Sequence, residues 1–487
     1  MDTCFLQAVA ILTIFLAGGT VFYGVVRQPE RFFRAERVAY CFPIGMTVLA
    51  VAFFLMSLAG IGLNAVVVVC GVVVSAMLVR KIRGVPLKEF WLRPATAATE
   101  SKRLDEFEWM LILVIIACLG ARAIACYITP LTDWDALNNW GIRAKLLYLG
   151  NVRSYDDYFR QAQFRYLNQT YPLLWPFMYA WMCTVLGRWD DISMMAINPF
   201  NLIVFALLVF YTARKFTSRK VALALMAMVA SLPAPLHYTE CGQGDIPLTM
   251  MSGASLFCLF AWMRERHLDS LVLSGILMGG ALFTKTEGQL VFGAHLCTAV
   301  LSVFAPGTSH DRRKWFGQVV LYVVLALVLY APWLLYRSTL PYEAWQVGGR
   351  PMGGVMRWSL IPTFLASITG NALHFYNQYN LPKWNLLWIV LPMFIFLSKS
   401  SKQYPWVLLL GMFALQAAGV AFVELISQER VTLHEMEAAY ERYTIIMLPP
   451  LWLVLGKCMD EWWSFWQAST PASTIDVQPR GIVHKRA

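Results

Sequence analysis

Two aspartates separated by one residue, Asp133 and Asp135, lie just beyond an apolar stretch, in the segment Thr-Asp-Trp-Asp-Ala-Leu-Asn-Asn-Trp at 132–140. Two carboxylates at this spacing can hold a divalent cation such as Mg²⁺ or Mn²⁺, or one can act as a base while the other orients it. The spacing is also typical of a helix start, where a carboxylate accepts hydrogen bonds from free backbone amides, here for a helix that continues through Lys145. We predict Asp133 and Asp135 as catalytic residues, and the sequence leaves open which of them would be the base.

A second group of charged residues lies close behind that pair and in a turn between two later apolar stretches. Arg143 and Lys145 follow the aspartates, and the turn Glu-Cys-Gly-Gln-Gly-Asp-Ile-Pro at 240–247 contributes Glu240 and Asp245. Asp245 could simply cap the next helix, but an acid at the mouth of a helix bundle is costly unless it is paired or used. We predict these four residues as an acceptor-binding or second acidic site.

Two cations at the ends of later apolar stretches are candidates for binding phosphate. Lys285 and Glu287 follow a Gly-rich stretch in Thr-Lys-Thr-Glu-Gly at 284–288, and Arg442 and Tyr443 precede the last apolar stretch. Lys and Arg bind phosphate through their charge and their N–H donors. A lysine at a helix end can also extend to water without any function, and an arginine there can anchor the helix. We predict a phosphate or diphosphate site formed by Lys285, Arg442, Glu287 and Tyr443.

The composition indicates which elements must position these residues. Of the 487 residues, 58% are hydrophobic and 14% are charged, whereas soluble proteins have about 45–50% apolar and about 25% charged residues. The apolar residues form blocks of about 17–24, enough to cross a hydrocarbon core of about 30 Å. We therefore predict an all-α polytopic membrane protein with about 13 transmembrane helices, which leaves no room for a separate soluble catalytic domain.

The loops between the predicted spans differ in charge. The spans are 4–26, 38–60, 62–80, 108–126, 192–213, 221–238, 247–263, 270–284, 288–305, 316–336, 384–398, 405–424 and 443–457. The short basic loops share one side if 171–187 and 359–376 are interfacial helices, and the positive-inside rule makes that side cytoplasmic. The net charge of +11 then indicates cytoplasmic loops and anionic lipid rather than nucleic acid.

With this orientation, five polar intervals that are distant in sequence face outward together: 127–191, 239–246, 285–288, 337–383 and 425–442. We therefore expect the site on the outer face.

The order of these pieces resembles the GT-C superfamily of polyprenyl-phosphate-sugar-dependent glycosyltransferases. The closest similarity is to the glycosyltransferase family 39-like branch, which contains the protein O-mannosyltransferases and aminoarabinose transferases. The matching pattern covers about residues 105–340. It consists of the acidic pair in the first large outer loop, the Pro-Leu-Leu-Trp-Pro segment at 172–187, the basic inner loop 214–220, the Asp-x-Pro turn 245–247 and the Gly-rich helix ending in Thr-Lys at 275–285.

The resemblance implies an enzyme that moves a sugar from a polyprenyl-phosphate donor to a hydroxyl of a lipid, glycan or protein acceptor on the extracytoplasmic face. It implies inverting transfer with a first-loop aspartate as base, Lys285 near the lipid phosphate, and a bacterial inner or plasma membrane as the location. It divides the chain into accessory helices at 1–107, a GT-C-like catalytic module at 108–340, a variable module at 341–458 and a cytoplasmic tail at 459–487. The chain departs from relatives in having Lys-Thr-Glu-Gly where Lys-Gly-Pro is frequent, and four spans before the catalytic loop instead of one.

Other functions remain open from the sequence. Multi-span chains are commonly transporters or flippases, although these often contain internal repeats and ionisable residues near mid-span, which are not evident here. An O-antigen ligase or polymerase would use a large outer loop late in the chain and arginines, for which the interval 337–383 offers Arg350 and Arg357. A structural or interaction protein is the third alternative. The sugar and the acceptor cannot be read from the sequence.

Overall fold

The computed structural model describes residues 2–84, 103–152, 171–305, 311–340, 346–347, 350–351, 357–373, 384, 387–426 and 433–469. Residues 153–170 of the interval 127–191, about half of the interval 337–383 with the side chain of Arg350, and residues 470–487 of the predicted tail lie outside these residues. The helices are α1 (Thr3–Val25), α2 (Arg34–Leu58), α3 (Ala65–Arg83), α4 (Glu106–Ile128), α5 (Ile142–Leu149), α6 (Leu174–Leu186), α7 (Asn198–Arg214), α8 (Arg219–Ser231), α9 (Pro233–Cys241), α10 (Asp245–Glu265), α11 (Leu268–Thr284), α12 (Gly288–Val303), α13 (Arg312–Arg337), α14 (Ile361–Leu373), α15 (Leu387–Leu397), α16 (Trp406–Ile426) and α17 (Leu433–Ser469).

Short elements connect the helices. They are the 3₁₀ turns Pro29–Arg31, Ser193–Ile197, Trp358–Leu360 and Ser400–Lys402, and the π-helical turn Ala136–Gly141. Within the described residues the only strands are β1 (Gln346–Val347) and β2 (Arg350–Pro351), which pair antiparallel.

The prediction of an all-helical polytopic membrane protein is confirmed. Within the described ranges, eight helices are long and apolar enough to cross a membrane, or nine if the bent pair α8 and α9 forms one span. Four further apolar helices, α6, α11, α12 and α15, are shorter. Each of the thirteen predicted spans overlaps a helix, and the span 221–238 is divided between α8 and α9. The number that cross stays a prediction.

Glycines set the packing of α1 against α2. A Cβ atom at Gly18 would lie 1.7 Å from the carbonyl oxygen of Cys41, and one at Gly45 would lie 1.8 Å from that of Ile14. The two backbones are therefore in direct contact, as is usual where small residues line helix crossings in membranes.

We expect Gly18→Ala to destabilise the protein by about 1–3 kcal/mol, because the added methyl group must push α1 away from α2. Thermal unfolding of the purified protein in detergent measures the effect. Gly120→Ala in α4 is the matched control, since a Cβ there meets nothing within 4 Å. Equal stability of the two variants would contradict the close crossing.

The helices that carry the polar turns occupy the centre of the bundle. α10 is buried along almost its entire length, whereas Val68 is the one buried residue of α3. The aromatic helix α6 is enclosed by protein, with Trp175, Tyr179 and Trp181 all buried and the Trp181 indole donating to the carbonyl of Ala10 at 3.1 Å. Its rings therefore pack the bundle interior.

A helical hairpin brings two of the predicted site residues together. α10 begins at Asp245 and α11 ends at Thr284, and a tight turn through Arg266, which has a left-handed φ of 57°, joins them. Because the two helices pack antiparallel, Asp245 and the residue after Thr284, Lys285, reach the same end of the bundle.

Candidate active site

A buried ion pair forms the centre of the site. The Lys285 ammonium lies 2.7 Å from Oδ1 of Asp245 and 3.2 Å from Oε1 of Glu287. Asp245 is the first residue of α10, and Lys285 follows the last residue of α11 in extended conformation. Both side chains are almost completely buried, so each charge depends on the other for its stabilisation.

Arg442 connects this pair to the first polar loop. It lies in the third turn of α17, and its guanidinium donates to Oδ2 of Asp245, with Nη2 at 3.0 Å and Nε at 3.1 Å. Its Nη1 also pairs with Oδ2 of Asp135. Four segments that are distant in sequence thus meet through one arginine; we call Asp135, Asp245, Lys285, Glu287 and Arg442 the charged cluster.

Asp135 is held as a carboxylate. Burial alone would raise its pKa, but the positive charges of Arg442 and Lys285 outweigh burial, so the pKa lies below its ordinary value. Asn139, one helical turn later, donates to Oδ1 at 2.7 Å. A carboxylate with a lowered pKa and several N–H partners is a weak base.

The stability that Asp135 contributes should depend on pH. Its folded pKa lies below the unfolded value of about 3.9, so its contribution is fully present above that value and is lost as the pH falls through the lowered pKa. We therefore expect the difference in unfolding free energy between the wild type and Asp135→Asn to stay constant from about pH 6 to about pH 5 and to shrink between about pH 5 and about pH 3. Thermal unfolding across this range measures it, and a constant difference would contradict the ion pair.

Asp133 has a different environment. Its Oδ1 accepts from the backbone amides of Asp135 at 2.9 Å and Ala136 at 3.2 Å, and from the side-chain amide of Gln243 at 2.8 Å. This is the N-cap geometry expected as an alternative from the sequence. Within the described part of the chain, its Oδ2 has no hydrogen-bond partner, and the side chain is only half-buried.

Aromatic rings form one wall beside the charged cluster. The π-helical turn after the aspartates directs Trp140 onto Tyr171, and the two rings stack at 5.5 Å with an interplanar angle of 1°. The Lys285 ammonium lies 5.9 Å from the centre of the Tyr171 ring, and the buried Arg143 guanidinium lies 5.7 Å from it. Gly244 allows this approach, because a Cβ there would lie 2.7 Å from the Trp140 ring.

Some residues predicted from the sequence lie apart from the charged cluster. Glu240 pairs with Arg122 of α4, and Lys145 is exposed with its ammonium 5.8 Å from the centre of the Trp189 ring. Tyr443 is buried within α17. Arg143 contacts Tyr171, to whose carbonyl it donates at 3.2 Å.

Three further polar or aromatic residues belong to the site and were not predicted from the sequence: Gln243, Asn139 and Tyr171. A signal existed for Asn139, which is four residues after Asp135 and so lies on the same helix face. Gln243 stands between two glycines in the turn before α10, and no spacing rule connects such a residue to a loop 110 positions earlier.

The aspartate pair does not fit a divalent cation as arranged. One oxygen of Asp133 already accepts three N–H groups, and Asp135 is paired with a guanidinium and an amide. Among the residues that the structure describes, no three His, Cys, Asp or Glu side chains lie close enough to hold one metal ion. The metal site stays a prediction from the sequence.

Residues 171–336 match the model of the dolichyl-phosphate-mannose-protein mannosyltransferase family. The matched region contains α6 through most of α13, and with them Asp245 and Lys285, whereas Asp133, Asp135 and Arg442 lie outside it. No curated protein and no solved structure matches the chain. The resemblance expected from the sequence is thus confirmed for this part of the chain, and the match supports an integral-membrane glycosyltransferase of the GT-C type.

Proposed function

We propose that the protein transfers a sugar from a polyprenyl-phosphate donor to an acceptor hydroxyl, with Asp133 as the general base. The observation that carries the proposal is the half-buried carboxylate of Asp133, which has one oxygen engaged by three donors and the other unengaged within the described residues. A base needs both features: fixed orientation and an oxygen available to take a proton.

Asp135 suits the base role less well than Asp133. Its pKa is lowered by Arg442 and Lys285, and its carboxylate is used in holding Arg442 in place. We assign Asp135 a positioning role: it aligns Arg442 while Asp133 receives the proton.

Arg442 is the better candidate for contacting the donor phosphate. Its side chain is 20% exposed, against 2% for Lys285, whose ammonium is enclosed by Asp245 and Glu287. A guanidinium can bind two phosphate oxygens in one plane while it retains a carboxylate partner. Lys285 then acts indirectly, by neutralising Asp245 so that the charge of Arg442 is available to the phosphate.

The reaction is a single displacement. The acceptor oxygen attacks the anomeric carbon as its proton passes to Asp133, and the bond between that carbon and the phosphate oxygen breaks. The electron pair leaves with polyprenyl phosphate, whose charge Arg442 stabilises. Direct attack from the face opposite the leaving group inverts the anomeric configuration.

The proposed site is extracytoplasmic. The C-terminal ends of α7 and α10, where Arg214 and Arg264 lie, are at the opposite end of the bundle from the charged cluster. Because short basic loops mark the cytoplasmic side, this distribution supports an outer location for Asp133 and Arg442. A lipid-linked donor would reach the site laterally from the bilayer.

The test is donor turnover by the purified protein in liposomes. Polyprenyl-phosphate mannose is added with a membrane extract as the source of acceptors, followed by other polyprenyl-phosphate sugars, and released polyprenyl phosphate is measured by mass spectrometry. We expect release with at least one sugar and a product of inverted anomeric configuration by NMR. The proposal would be contradicted if none of the polyprenyl-phosphate sugars bound to the protein and none was turned over.

A further inference from the structure

A second polar region lies at the other end of the same two central helices. It is a cavity of about 620 Å³ between the α1–α2 connection, the end of α7 and the turn between α10 and α11. Its charged lining consists of Arg27, Arg31, Arg214, Lys215, Glu265 and Asp269. The mechanism proposed above does not use any of these residues.

The cavity and the charged cluster lie on opposite sides of the hydrocarbon core. α10 runs from Asp245 in the cluster to Glu265 in the cavity lining, a span of 21 residues, which at 1.5 Å per residue is about 30 Å. α11 makes the return crossing, from Asp269 beside the cavity to Lys285. The cavity therefore faces the cytoplasmic side if the cluster faces outward.

One of the two carboxylates around the cavity, Asp269, is already engaged by backbone. Oδ2 of Asp269 accepts from the backbone amides of Arg27 at 2.7 Å and Gln28 at 3.3 Å, which fixes the connection after α1. Glu265 is exposed, and its Oε2 lies 3.8 Å from Nε2 of His267. Asp269 therefore shapes the cavity wall by binding backbone.

Two of the cations that line the cavity, Arg27 and Arg31, are available to a ligand. Lys215 is not, because its ammonium pairs with the buried Glu36 at 2.6 Å. Arg27 and Arg31 are exposed, and within the described residues their guanidinium groups form no hydrogen bond or ion pair. Two guanidinium groups at the mouth of one cavity are the donors that phosphate oxygens require.

We propose that this cavity binds a phosphate group at the cytoplasmic end of the bundle. The phosphate can belong to the headgroup of an anionic lipid or be free in solution, and the chemistry of recognition is the same. Phe33 and Leu268 also line the cavity, so an apolar surface adjoins the cations as an acyl chain would require. Bound phosphate would link the α1–α2 connection to the end of α7.

The positive-inside rule explains why cations are frequent at this end, but it does not explain why several converge around one cavity. Arg313 and Lys314 at the start of α13 provide the comparison, since both are exposed cations at the same end and neither lines the cavity.

The experiment compares three proteins in detergent: the wild type, the double variant Arg27→Gln/Arg31→Gln, and the control Arg313→Gln/Lys314→Gln. Each is titrated with phosphatidylglycerol, with phosphatidylcholine and with inorganic phosphate. Thermal unfolding and native mass spectrometry report binding. Both substituted pairs are exposed, so all three proteins are expected to unfold at similar temperatures without additive.

We expect phosphatidylglycerol to raise the unfolding temperature of the wild type and the control, with an affinity at least about tenfold weaker in the cavity variant. Stabilisation by inorganic phosphate alone, lost in the cavity variant, also supports the site and identifies the source as soluble phosphate. The proposal is overturned if no phosphate compound stabilises the wild type, or if the cavity variant and the control respond equally. Neither result bears on sugar transfer, because the cavity is remote from Asp133.

Discussion

Asp133→Asn should lower the rate of sugar transfer by about 10²–10⁴-fold without weakening donor binding. The substitution removes the proton acceptor and little else. Asparagine is as good an N-cap as aspartate, and its carbonyl oxygen can still accept from the backbone amides of Asp135 and Ala136 and from Gln243. The loss is therefore expected in kcat, while the apparent donor affinity and the unfolding temperature stay close to those of the wild type.

The control for this variant is Asp191→Asn, an exposed aspartate in the segment after α6, which should transfer sugar at the wild-type rate. Asp135→Asn gives a second comparison. Because Asp135 holds Arg442, its replacement should raise the KM for the donor more than it lowers kcat. The assignment of Asp133 as base would be contradicted if Asp133→Asn transferred sugar at the wild-type rate, or if only Asp135→Asn had a lowered kcat.

The sequence was sufficient to predict which charged segments meet. Counting spans and placing the short basic loops on one side put Asp135, Asp245, Lys285 and Arg442 on the same face. In the structure these four are linked by ion pairs, with Arg442 contacting both Asp135 and Asp245, and Asp245 also contacting Lys285. The shared face could be predicted because an apolar helix of about 20 residues crosses the membrane once. Each span therefore determines on which side of the membrane the next polar turn lies.

The partners within the site could not be predicted in the same way. The sequence suggested that Lys285 binds phosphate, but its ammonium is paired with two carboxylates. Whether a lysine at a helix end meets a carboxylate or a ligand depends on the packing of α10 against α11, which composition and hydropathy do not encode. Arg143 and Lys145 show a related limit: two residues apart on one helix, they point in different directions, so only Arg143 is buried beside Tyr171.

Lys285→Met should be among the most destabilising single substitutions in the protein, at about 3–5 kcal/mol. Methionine retains much of the volume of lysine but removes the charge that faces Asp245, which is completely buried. Arg442 remains as a partner of Asp245, but its guanidinium also pairs with Asp135. The carboxylates of Asp245 and Glu287 would then be left in a water-poor site with too little positive charge, and an unpaired buried charge costs more than a missing apolar contact.

The double variant Lys285→Met/Asp245→Asn separates the charge effect from general misfolding. With both charges removed, part of the lost stability should return, because a neutral pair in a buried site costs less than a lone charge. Thermal unfolding in detergent of the wild type, both single variants and the double variant completes the cycle. Lys314→Met, an exposed lysine at the start of α13, is the matched control and should change stability little. If Lys285→Met were no less stable than Lys314→Met, or if the two site substitutions simply added, the ion pair would not be the element that holds α10 and α11 together at the candidate active site.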